Sequence, residues 1–188
     1  EVGGWTLCFE SGREAGPFQT VILALPADQL APILEAHHPE WSQRAQQAAL
    51  SPQWVTYAWI DPSLATQLPW GIYQGAGEKI AAVYNEARKP RRDPGALVIH
   101  GAISWSEAAL ERHPDEVATE LWAALREIHP QLPLTPLRLE AHRWRYAQRS
   151  TCDSAARKGY LSAPKRGLAV IGDWLVKNPL EAGVEAAY

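Results

Sequence analysis

The run GLAVIGDW at residues 167–174 constrains this chain more than any other stretch. A short apolar run bounded by glycines predicts a buried strand, and Gly172 and Asp173 close it. Such a strand delivers Asp173 to the carboxyl end of a sheet, where the ligands of open α/β sheets gather. There a carboxylate would accept a hydrogen bond from a sugar hydroxyl. Asn178, Pro179 and Glu181 then read as an N-cap, a proline at the first helical position and an acidic residue in the first turn, so that free backbone N–H groups would face a phosphate. The same residues also read as a plain Gly-Asp turn between a core strand and a helix. Both readings stand at this level.

The sequence begins at Glu1 and contains no Met, and Leu180, Val184, Ala187 and Tyr188 keep helical spacing up to its last residue. It is therefore expected to be a piece of a longer protein with its last element cut short. No apolar run reaches transmembrane length, which predicts a soluble, cytoplasmic protein with no membrane partner. At 188 residues, 46% hydrophobic and 21% charged, the chain is long enough to bury a core. The net charge of −3 offers no basic footprint for nucleic acid. The basic run at 88–92 is broken by Pro90 and reads as a solvated turn. Cys8 and Cys152 belong to no C-x-x-C pattern and read as free thiols, while His37 and His38 diverge on most backbones, so no metal site is predicted.

Along the chain, β-rich runs at 5–9 and 18–25 flank a glycine-containing link and predict a hairpin. Pro26, Pro32 and Pro39 divide the next stretch into short helical pieces, each proline suiting a first turn better than an interior; 41–50 is one such piece. Aromatic and β-branched runs at 53–60, 79–84, 96–99 and 134–146 predict a sheet of four or more strands. The clearest helix starts at Pro114, carries Asp115 and Glu116 in its first turn, lines up Val117, Leu121, Leu125 and Ile128, and ends before Pro130. Residues 151–167 are polar and read as an irregular crossover.

The strand ending at Tyr146 has two unlike faces. Leu137, Leu139 and Ala141 share one side; Glu140, His142, Trp144 and Tyr146 share the other. The second face either lines a pocket for a planar heteroaromatic ligand or is a sheet face covered by amphipathic side chains.

Together, FQTVILALP at 18–26, LVIHG at 97–101, EAHRWRY at 140–146 and GLAVIGDW at 167–174 resemble the carboxyl-terminal half of renalase-like, FAD-dependent oxidoreductases of the amine-oxidase superfamily. The resemblance covers nearly the whole chain. It implies an α+β fold: a mixed, mostly antiparallel sheet covered by helices, with remnants of a Rossmann-like FAD-binding domain at both ends. Residues 1–35 and 161–188 would be those remnants, and 36–160 the substrate-binding domain. The family's G-x-G-x-x-G turn is absent, and neither Gly3-Gly4 nor the glycines at 75 and 77 substitute for it. A partner segment carrying that turn is implied, and the chain alone is expected to be inactive.

By the same resemblance, Asp173 would hold the ribityl chain of FAD, while Gly172, Trp174, Val184 and Glu185 would border the flavin. The chain departs from the family at 175–183, where a longer stretch replaces the glycine-containing turn, so the last helix starts either at Asn178 or near Gly183. The implied reaction is hydride transfer from a dihydronicotinamide nucleotide or an amine to flavin, with oxygen as the final acceptor. Tyr73, Asn85, His100 and Trp144 are the candidates for the roof of the substrate pocket, since they combine planar faces with donors. Against each stands a plainer role: a structural histidine at His100, a cap at Asn85, core packing at Tyr73 and Trp144. The competing function is a cofactor-free module that binds a small ligand or a partner strand.

Overall fold

A computed structural model describes residues 3–48, 50–75, 78–90, 94–149 and 159–176. The chain folds as two compact units, 1–50 with 149–188, and 51–148. The first boundary lies at 50/51 and not at 35/36 because the two helices after residue 26 pack on each other, the Ser42 hydroxyl donating to the Ala31 carbonyl at 2.7 Å, and so stay in one unit; the second lies at 148/149 and not at 160/161. Among the described residues no helix is long and apolar enough to cross a membrane.

The first unit opens with a hairpin, β1 (Trp5–Cys8) and β2 (Glu14–Phe18), paired antiparallel with Leu7 opposite Ala15. Gly12, at φ +78°, supplies the left-handed turn. The hairpin was expected to use 18–25 as its second strand. Instead the turn closes early, with the Phe9 amide on the Arg13 carbonyl, and the apolar run that follows goes to a different sheet. That run contributes β3 (Val21–Leu23), which lies parallel to β10 (Leu168–Ile171); β9 (Tyr160–Ala163) pairs antiparallel on the far side of β10. The Val21 amide donates to the Gly167 carbonyl at 2.9 Å, which fixes the parallel register.

β9 falls inside the stretch that reads as an irregular crossover. Its cause is local: a 3-10 turn at Pro164–Arg166 ends on Gly167 at φ +62°, and this left-handed residue reverses the chain so that β9 and β10 pair as a hairpin. Helices α1 (Ala27–Glu35) and α2 (Pro39–Gln47) cover the sheet. Leu30, Leu34 and Trp41 pack there with Leu168, Val170 and Trp174. Pro39 opens α2 as expected, but Pro32 lies inside α1. It is tolerated because it sits on the exposed side of a short helix, where water can satisfy the carbonyl its missing N–H leaves unpaired. The predicted helix start at 178–183 lies outside the described residues.

The second unit is a five-stranded sheet in the order β5-β6-β7-β4-β8. Its strands are β4 (Leu50–Trp59), β5 (Ile72–Gln74), β6 (Ile80–Asn85), β7 (Ala96–Gly101) and β8 (Arg138–Arg149). β5, β6, β7 and β4 pair antiparallel in turn. β8 also runs opposite to β4: Leu137 donates to the Trp59 carbonyl near one end, and Gln148 reaches Gln53 near the other. Two short helices, α3 (Pro62–Gln67) and α4 (Ile103–Ala108), and the strand β5 carry too few residues for a periodic signal.

The long helix α5 (Pro114–Ile128) begins at the predicted proline. Val117, Leu121 and Leu125 are wholly buried, with Ala118 and Trp122 widening the stripe. Each buried leucine contributes about 1.5–3 kcal/mol of transfer free energy. The mixed, mostly antiparallel α+β architecture is the expected one.

Two glycines test how the first unit is held. At Gly12 a Cβ would meet nothing within 4 Å, so Gly12→Ala should cost only the left-handed strain, about 1–2 kcal/mol. At Gly167 the same strain is joined by collision with the Gln19 carbonyl oxygen, so Gly167→Ala should cost clearly more. Urea unfolding followed by tryptophan fluorescence ranks the two; equal losses would contradict the close approach at Gly167.

Candidate functional site

Pairing parity decides what the second unit can present. Tyr73 stands opposite Val83, Val83 opposite Ile99, and Ile99 opposite Thr56, so these four side chains share a face. Asn85, Leu97 and Ala58 lie on that face two residues along, and with Val83 and Ile99 they are buried with α5 in the core. The other face carries Ala82, Tyr84, Val98, His100, Tyr57 and Trp59. Its rows are aromatic and half-buried.

β8 extends both faces. Leu139 and Ala141 pack on the core, and Arg143 places its guanidinium 5.7 Å from the Trp54 ring. Arg143 and Arg145 both grip Glu111, at 2.8 and 3.0 Å, and Arg143 also donates to the Leu110 carbonyl. Those two arginines hold the Glu111 carboxyl below its usual range, chiefly through the Arg145 hydrogen bond. On the outer face, His142 and Trp144 meet edge to face at 4.8 Å, and Arg138 lies 4.7 Å over the Trp59 ring. The alternating EAHRWRY motif thus turns its arginines to the side that α5 covers, where they pair with the exposed Glu111, and its rings to the other.

The four candidate roof residues are therefore not brought together. His100 and Trp144 lie on the outer face; Tyr73 and Asn85 lie on the face that α5 covers. Asn85 is 0% exposed: its Nδ2 donates to the Ala65 carbonyl at 2.8 Å, and its Oδ1 accepts from the Ala87 amide at 3.1 Å. It caps the 3-10 turn at Glu86–Arg88. Tyr73 packs edge to face on His129 at 4.9 Å and tilts against Trp70. Trp144, by contrast, is 50% exposed.

His100 is held by neighbours that sequence reading did not single out. Its Nδ1 lies 3.3 Å from Gln53 Oε1, and its ring centroid is 5.0 Å from that of Tyr84. Gln53 is buried, and its Nε2 donates to the Gly101 carbonyl at 2.9 Å. The available signal was a glutamine at the head of an aromatic run, on the same parity as Tyr57 and Trp59. Burial, then the charge of Lys89, push the His100 pKa down. Burial does the same to His129.

In the first unit, Asp173 stands one residue, Gly172, beyond β10 and opens a 3-10 turn at Asp173–Leu175. Its side chain is exposed at the carboxyl end of a strand with a parallel neighbour. Trp174 is wholly buried, and its indole folds back onto Gly172: a Cβ at 172 would stand 2.7 Å from Trp174 Nε1. Glycine at 172 thus has a packing reason of its own. That buried Nε1 has no hydrogen-bond partner among the described residues. Val184 and Glu185 lie outside the described residues. The same unit holds an apolar cavity of about 530 Å³, lined by Trp5, Leu7, Val21, Leu23, Leu34 and Leu168 among others. Its signal was Trp5 and Leu7 at alternate positions of β1 and the continuous apolar run of β3.

Two comparisons bear on this arrangement. The model of a family described as flavin containing amine oxidoreductase matches residues 1–188. A solved structure of a proposed protoporphyrinogen oxidase from Exiguobacterium sp. 255-15 superposes with a TM-score of 0.66 at 16% identity, over 100% of this chain and 45% of that one. At that identity the likeness speaks for the fold. The chain spans less than half the length of the structure it matches.

The depressed imidazoles set a pH dependence. A histidine whose folded pKa lies below its ordinary value of 6.5 takes up its proton more readily when unfolded. Stability is then full above that value and is lost as pH falls through the folded pKa. Urea midpoints should decline as pH drops below about 6.5, and the slope should flatten in His100→Gln. A slope unchanged by that substitution would show that His100 titrates alike in both states.

Proposed function

The chain belongs to the flavin-containing amine oxidoreductases, and from that premise we propose that it forms the substrate-binding portion of an FAD-dependent oxidoreductase resembling renalase. The substrate is a dihydronicotinamide nucleotide or an amine, and oxygen is the final acceptor. The observation that carries this reading is the outer face of the second unit's sheet. There Trp144, His100 and Tyr84 combine flat surfaces with hydrogen-bonding tips on one side of a rigid scaffold, the other side of which is buried against α5.

Asp173 suits the ribityl chain, because it places an exposed carboxylate at the carboxyl end of a strand in a parallel pair. Trp174 Nε1 beneath Gly172, without a hydrogen-bond partner among the described residues, adds a buried donor at the same turn. These two features fit the sugar portion of the cofactor. The glycine-rich turn that would seat the pyrophosphate does not occur in these 188 residues, so the chain alone is not expected to retain FAD stoichiometrically. When bound, flavin supplies a two-electron acceptor for hydride. The protein's own residues hold the donor carbon in place, and the aromatic rows exclude water from it.

The purified product of the whole gene tests this. It should carry flavin, visible in its absorbance, and dihydronicotinamide nucleotides or amines should bleach that absorbance in the absence of oxygen. A colourless protein that neither binds FAD nor oxidises these donors would sink the proposal. Within that protein, Asp173→Ala removes a charged acceptor that contributes about 1.5–3 kcal/mol, so FAD affinity should fall about 10- to 150-fold in equilibrium titration. Trp144→Ala should leave FAD content unchanged and slow its reduction by substrate; stopped-flow bleaching at the parent rate would remove Trp144 from the site.

A further inference from the structure

One buried amide dictates the chemistry of the imidazole beside it. Gln53 is 4% exposed, and its Nε2 donates to the Gly101 carbonyl at 2.9 Å. A carbonyl oxygen only accepts, so the amino end of the amide must face Gly101 and Oε1 must face the other way. Oε1 lies 3.3 Å from His100 Nδ1 and 3.4 Å from Gln148 Nε2. An amide oxygen also only accepts. Nδ1 therefore carries the proton, and in a neutral imidazole the second nitrogen is then left with a lone pair. His100 Nε2 has no hydrogen-bond partner among the described residues.

The surroundings keep the ring neutral. The Lys89 ammonium lies 5.6 Å from the centroid of the Tyr84 ring, and Tyr84 stands beside His100 at 5.0 Å. Lys89 is itself paired with Glu86, the nearby acid on the same segment. The amides of Gln53 and Gln148, which meet at Gln53 Oε1 beside Nδ1, carry no charge.

We infer that Gln53 and Gln148 are positioning residues that hold His100 as its Nδ1–H tautomer, so that Nε2 selects planar substrates bearing an N–H or O–H donor. This rests on the reading of the outer sheet face as the substrate side. A ring lacking that donor would leave the imidazole lone pair unsatisfied once water is displaced. The class includes reduced nitrogen heterocycles and excludes their N-alkylated forms, unless another donor takes the same place.

Nitrogen-15 labelling of the histidines in the full chain, with long-range proton–nitrogen correlation spectra, reads the tautomer directly; His100→Gln identifies the signal. The unsubstituted chain should show His100 protonated at Nδ1, and a predominant Nε2–H form overturns the inference. In Gln53→Met the population should move toward Nε2–H. In Gln53→Glu, a carboxylate beside Nδ1 should raise the titration midpoint of His100. Indole and N-methylindole serve as probes. Indole should shift the Nε2 resonance and bind about 2- to 12-fold tighter than its methylated form, the factor one neutral hydrogen bond supplies. Equal affinity, or no Nε2 shift with either probe, overturns the inference without requiring any variant to fold. None of these readouts involves flavin. Loss of the flavin reading would show in the colourless whole protein, whereas failure here would show as the wrong tautomer in a protein that still binds FAD.

Discussion

The two-residue period of the five-stranded sheet, with one face buried under α5, governs the second unit. Once Leu121 and Leu125 pack against Val83, Leu97 and Ile99, every other residue of each strand is committed to the core, and its neighbours are committed to the opposite side. A slip of one residue in β6 or β7 would drive Tyr84 or His100 into the core and expose Val83 or Ile99. The burial of that apolar face thus holds the aromatic rows of the other face in register. Glu111 reinforces it by gripping Arg143 and Arg145, which keeps Trp144 turned outward.

The first unit depends on a different constraint, the parallel pairing of strands far apart in the chain. β3 and β10 meet only because Gly167 turns left-handed and lets its backbone approach that of Gln19. Trp174 then closes the unit's core from the far end of β10, with Gly172 leaving room for the indole. Asp173, between Gly172 and the buried Trp174, keeps an exposed side chain. The buried indole of Trp174 fixes the backbone next to it, so little further backbone freedom is lost there on meeting a ligand.

Polar groups buried in this fold serve distinct ends. Asn85 satisfies backbone carbonyls and caps a turn, so its amide is fully used by the fold. Gln53 is equally buried, yet half of its hydrogen bonding goes to side chains on the outer face. The difference follows from strand parity. An amide on the core face can serve only the backbone around it, whereas one on the open face orients whatever lies beside it.

Much of the architecture was legible in the sequence. Helix α5 announced itself by Pro114, its acidic first turn and its apolar stripe, because a long amphipathic helix carries its own period. Strands β4, β6, β7 and β8 were visible as β-branched and aromatic runs, and the two faces of β8 as an alternation of residue types, whereas β2, β5 and β9 were not. The amine-oxidase part of the resemblance carried by GLAVIGDW and EAHRWRY agrees with the family the chain belongs to. What the sequence could not state was which strands pair, and in what register. Tyr73 and Asn85 look as chemically apt as His100 and Trp144 when read one at a time; only hydrogen-bond pairing across β5, β6 and β7 puts them on opposite faces. The same holds for β3, whose apolar run resembles a hairpin partner until Gly167 draws it to β10. Local propensity and periodicity are properties of neighbours in the chain, so the sequence determined the elements. Register, and the burial that enforces it, are properties of neighbours in space, so tertiary structure alone decided which side chains meet.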